Sequence, residues 1–152
     1  MIQALQITPE ILTSNTDNLN FDTVDLRTNS ATCCGWLQYM PGGSDFTIIG
    51  GGLFEISFNA NVTSETDGFV ALALKTGTGT DVEGTEMDAE VITPGNYTNV
   101  SFTKLIKLCP RVNTVVAIGS LSGTITGTTT PVVETTQIPV IKDANFIIRK
   151  LA

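Results

Sequence analysis

The chain has 152 residues, 41% of them hydrophobic, and a mean hydropathy of +0.21, a composition for one folded domain and against a disordered chain. Eight Lys and Arg stand against fifteen Asp and Glu, a net charge of −7 at pH 7, which argues against the basic footprint of a nucleic-acid binder. With no histidine, Ser-His-Asp and Cys-His nucleophilic systems and the commonest metal ligand drop out. No apolar run nears the roughly 18 residues of a membrane helix, so no membrane partner is expected.

Residues 1–29 are rich in Asn, Asp and Thr and weakly periodic. They are expected to form an extended N-terminal arm that anchors a domain over 30–152, with Asn20–Val24 as one short strand. The opening MIQALQITPE has no basic stretch and no long apolar core, so no signal peptide is expected. Ala31–Tyr39 contains Trp36 and breaks at Pro41-Gly42-Gly43. Gly50-Gly51-Gly52 either interrupts regular structure or lets two backbones approach. It opens no helix, so it is not a phosphate loop. Leu53–Val62 alternates cleanly, Phe54, Ile56, Phe58 and Ala60 against Glu55, Ser57, Asn59 and Asn61, as a half-buried strand does.

Gly68–Lys75 is apolar on both faces, and Val82–Val91 is acidic. Thr93-Pro94-Gly95-Asn96 suits a type II turn. Val100–Leu108 reads as a long strand with Val100, Phe102, Lys104, Ile106 and Leu108 on one side. Val112–Ile118 alternates, residues 119–137 are rich in Gly, Ser and Thr, and Ala144–Arg149 is the best strand near the end. About eight strands, turn residues between them and no convincing helix predict an all-β antiparallel sandwich, and that number fits a jelly roll.

Several of these strands are apolar on both sides: Val70, Leu72 and Leu74 against Phe69, Ala71 and Ala73; Val115 and Ala117 against Val116 and Ile118; Ile147 against Phe146 and Ile148. A free-standing antiparallel sandwich leaves one face of each sheet wet. The surplus is expected either in an interface between copies or under loops of the same chain. Leu72, Leu74, Leu105, Val115, Ala117 and Ile147 are the candidate interface residues.

No catalytic constellation emerges, and the chain is read as not an enzyme, with no cofactor and no metal. Glu86, Asp88 and Glu90 share a strand face with Asp81 and Glu83 nearby. Oxygen ligands so placed suit Ca²⁺, but the plain reading is a charged edge that resists strand pairing. A carboxylate pair acting on a sugar lacks any fixed separation. Lys104, Lys107, Arg111, Arg149 and Lys150 are potential partners for the acidic strand of a neighbouring copy. Tyr97, Thr128 and Thr129 are the candidate ligand contacts, at loops where a host-surface glycan would stack or bond; Trp36 reads as core. Cys33, Cys34 and Cys109 are odd in number and read as small buried hydrophobes, with one bridge to Cys109 as the alternative. Three Asn-X-Thr/Ser matches carry no weight without a signal peptide.

Phe46–Val62, Gly68–Leu74, Val82–Met87, Pro94–Ser101 and Ala144–Lys150 together resemble the TNF/C1q-like jelly rolls of virion proteins from phages of Gram-positive bacteria. The resemblance covers residues 30–152. It implies a homotrimer packed around a threefold axis, used as a head decoration, head fibre or tail-fibre tip. It further implies attachment to other virion proteins through the arm and location on the virion. No Gly-X-Y repeat precedes the domain, so a collagen stalk is not implied.

Overall fold

The computed structural model describes residues 1–12, 17–27, 35–40, 42–77, 79–109, 112–121, 124–126, 133–135 and 137–152, and for 25–27, 124–126 and 133–135 the backbone alone. Its strands are β1 (Ile2–Gln6), β2 (Glu10–Ile11), β3 (Thr23–Arg27), β4 (Leu37–Gln38), β5 (Phe46–Ile48), β6 (Gly52–Thr63) and β7 (Gly68–Thr76). They continue as β8 (Thr80–Asp81), β9 (Met87–Val91), β10 (Thr98–Leu108), β11 (Thr114–Ser120), β12 (Thr124–Thr126), β13 (Val133–Thr135) and β14 (Val140–Lys150). The first sheet runs β10-β6-β14-β1-β3, with β2 also on β14. The second runs β4-β5-β11-β7-β8, with β9 also on β7; β12 and β13 form a separate ribbon. The fold class is the expected one: two antiparallel sheets and, among the described residues, no helix.

Period-two patterning decides which side of each strand is dry. Phe54, Ile56, Phe58, Ala60 and Val62 of β6 are buried, and their register partners Phe146 and Ile148 of β14 lie beside them. Val70, Leu72, Leu74, Val116 and Ile118 form the facing wall of the core. Phe146 centres an aromatic cluster: its ring centroid lies 5.5 Å from Phe21, 5.0 Å from Phe46 and 6.4 Å from Phe58. Tyr39 stacks on Phe46 at 4.1 Å, and its hydroxyl donates to the Phe21 carbonyl.

The described residues 1–12 and 17–27 do not form a separate arm: β1 and β3 pair into the first sheet, so the expected boundary at residue 30 does not set them apart from the domain. β1 lies between β14 and β3, in register from Ile2 opposite Ile148 to Gln6 opposite Ala144. Ile2, Ala4, Leu12, Leu19 and Phe21 are buried in the same core as β6 and β14. The signal was weak because β1 is only five residues long and ends on a buried polar residue, Gln6.

Side chains pin this segment down. The Asp22 carboxylate accepts the Ile7 and Thr8 amides, each at 2.9 Å, and Glu10 accepts the Asn20 amide at 2.9 Å and its side-chain Nδ2 at 2.6 Å. The two amides hold Asp22 below its ordinary pKa, so its contribution is fully present above the unfolded value and is lost as pH falls through the folded one. Glu10 is displaced the other way, raised chiefly by burial and, more weakly, by Asp22 and Asp17. Its ionisation therefore opposes folding as pH rises through its folded pKa. Asp22→Asn should flatten the acid limb of the stability–pH curve below the usual carboxylate range and leave the neutral limb's slope unchanged. Urea melts at stepped pH check this, and an unaltered acid limb refutes it.

The glycine run is a close approach of backbones. Leu53 donates to the Ala152 carbonyl at 2.9 Å and accepts from Leu151 at 2.8 Å. At Gly52 (φ 146°) any Cβ would strike the Ala152 carbonyl oxygen. The predicted turn at 93–96 is present, with the Asn96 amide on the Thr93 carbonyl at 3.1 Å and Gly95 at φ 83°.

Candidate functional site

β10, β6, β14 and β1 turn one face away from the core. Register aligns Thr103, Ser57, Ile147 and Gln3 in one row, and Leu105, Glu55 and Arg149 in the next. Leu105 is 58% exposed; Leu5, Leu53 and Ile147 are half-buried on the same face. Arg149 reaches Glu55 at 3.3 Å, an exposed pair that adds little stability. Between the apolar residues lie the short Thr103 and Ser57 and the longer Gln3, Glu55 and Arg149. Leu5 was missed by sequence reasoning, although Ile2 and Ala4 already alternate with Gln3 and Leu5.

The six candidate interface residues fall in three places. Leu105 and Ile147 share the face just described. Leu72 and Leu74 are 1% and 0% exposed in the core of their own chain, so they are unavailable to a neighbour. Val115 and Ala117 lie on the outward side of the second sheet, where Ala117 is 3% exposed and Val115 half-buried. Of the surplus apolar residues of β7, Ala71 and Ala73 are already dry within one chain, whereas Phe69 is half-buried. The buried stem of Lys75 lies against Gly119 and its ammonium meets Asp81 at 3.0 Å. Asp81 thus pairs within the chain.

Tyr97 follows the turn at 93–96, 37% exposed, with the Lys142 ammonium 3.9 Å from its ring centroid. Beside it runs a polar ladder, Asn99 Nδ2 donating to Asn61 Oδ1 and Asn61 Nδ2 to Asp143 Oδ2, each at 3.3 Å. Asp143 sits at a bulge in β14 with φ 53°. Thr128, Thr129, Cys33 and Cys34 lie outside the described residues. Cys109 is an exposed free thiol, which corrects its reading as a buried hydrophobe. Trp36 packs on Phe54 with centroids 5.5 Å apart, as a core residue does. Asp88 and Glu90 stand exposed on β9.

No family model and no curated protein matches the chain. Solved structures do. The globular domain of zebrafish complement 1qA protein is 15% identical with a TM-score of 0.58, over 99% of this chain and 98% of that one. Eiger TNF from S. frugiperda is 9% identical with a TM-score of 0.60, over 99% and 91%. Murine APRIL is 11% identical with a TM-score of 0.54, over 99% and 97%. The chain has the TNF/C1q jelly-roll fold. Coverage of 99% is in keeping with the pairing of β1 into the first sheet. At these identities the likeness is one of fold, and the work a TNF/C1q jelly roll does lies in its faces and loops.

Proposed function

We propose that the protein is a non-enzymatic structural module. It assembles as a homotrimer through the outward face of the first sheet and is displayed on a phage virion as a capsid decoration or fibre head. The supporting observation is Leu105, 58% exposed, on the same outward face as the half-buried Ile147, Leu5 and Leu53 of a TNF/C1q jelly roll. The virion setting rests on the resemblance at 46–62, 68–74, 82–87, 94–101 and 144–150. Among the described residues β1 and β3 are strands of the sheet, so attachment through this stretch would engage a sheet edge rather than a free arm. The alternative, a receptor- or glycan-binding tip at Tyr97, has to share that ring with Lys142.

Light scattering should return three times the 16.1 kDa chain mass. Leu105→Arg combined with Ile147→Arg should raise the dissociation constant at least about 30-fold, by forcing charge into the interface, while the circular dichroism stays that of the parent. A parent protein at the mass of one chain overturns the assembly. Absence of the protein from gradient-purified phage particles overturns the display.

A further inference from the structure

We propose that the cavity at the β6–β7 turn binds the guanidinium of an arginine side chain carried by a partner polypeptide. The cavity holds about 510 Å³ and is walled by Asp67, Phe69, Glu90, Ile92 and Gln137. Phe69 and Glu90 are register partners on β7 and β9, so both project on the outward side of the second sheet. Asp67 comes from the turn before β7. Gln137 is fixed against the strand: its amide donates to the Phe69 carbonyl at 2.6 Å, and its Oε1 accepts from Thr66 Oγ1 at 2.8 Å. A Cβ at Gly68 (φ 135°) would lie 2.9 Å from Gln137 Cγ, so the glycine is what lets Gln137 close that wall.

The wall carries two carboxylates and, among the described residues, no lysine or arginine. Among the described residues, Lys75 lies on Asp81, Arg149 on Glu55, Lys142 on Tyr97, Lys150 over Phe54 and Lys104 beside Gly84. Two acceptor groups flanking an aromatic ring suit a planar cation that stacks and donates at once. A guanidinium does both, whereas an ammonium offers only a point charge. Ile92, 78% exposed at the rim, gives the arginine methylenes an apolar surface. The net charge of −7 favours approach of a basic partner. No group of three metal-ligating side chains occurs among the described residues, which sets a divalent cation behind arginine. The cavity opens on the second sheet, away from the proposed assembly face, so each proposal stands or falls alone.

The test is an amide-resolved NMR titration of the full chain with Nα-acetyl-arginine amide. Its neutral isostere, Nα-acetyl-citrulline amide, serves as the control. The expected result is saturable shifts confined to Gly68, Phe69, Val91, Ile92 and Gln137 in the millimolar range, at least about tenfold weaker with citrulline. Asp67→Asn and Glu90→Gln should each weaken binding about fivefold with the rest of the spectrum unchanged. An equal response to citrulline, no saturable shift at these amides, or the same shifts at lower concentration with Ca²⁺ alone overturns the proposal.

Discussion

Deleting residues 1–29 is expected to leave no folded protein. The deletion removes β1 from between β14 and β3, and with it the buried Ile2, Leu12, Leu19 and Phe21. Each fully buried side chain of this size contributes about 1.5–3 kcal/mol, so the four together supply about 6–12 kcal/mol. That matches the whole net stability of a domain, about 5–15 kcal/mol. The five β1–β14 register pairs go too, which leaves one edge of β14 open across its buried middle. The truncated chain should show no cooperative thermal transition and should aggregate. A soluble 30–152 fragment with a sharp melt would refute the placement of β1 in the core.

Phe146→Ala should destabilise by about 3–5 kcal/mol, the range for deleting a buried aromatic. Phe146 is fully buried and touches the rings of Phe21, Phe46 and Phe58, which come from three separate stretches of chain. Both sheets border the resulting void, so no single strand can move to fill it. At about 2–4 °C per kcal/mol for a chain of this size, the melting temperature should fall by about 6–20 °C. Ile92→Ala, at a solvent-exposed rim, should stay within about 0.5 kcal/mol of the parent. Parallel urea melts check both, and equal shifts for the two variants would refute the core assignment.

Strand identity was legible wherever alternation ran long enough to set a face. β6, β10 and β14, of 12, 11 and 11 residues, appear where the pattern put them, and Lys104 lies on the inward side as the period requires. Its ammonium reaches Gly84 from β10, which ends the first sheet, and an inward charge there blunts edge pairing. β1 was not legible, because five residues closing on a buried glutamine look polar until a neighbouring strand is known. Nor does alternation tell which cover lies over a dry face. Ala71 and Ala73 read the same whether another copy or the same chain shields them, and here they are buried within one chain. The cavity at Asp67 and Glu90 drew on residues 23 apart in sequence that meet only through the β7–β9 register, a pairing no local pattern announces.

The antiparallel fit of β1 against β14 sets the chain's start beside its finish, with Met1 Sδ 3.7 Å from the Arg149 guanidinium and Ala152 bonded to Leu53. Anything fused to either terminus would leave from one pole, while the 93–96 turn and the Phe69 pocket occupy the other. A short bridge from Ala152 to Met1, with the chain reopened at Gly95, should therefore yield a circular permutant that keeps both sheets.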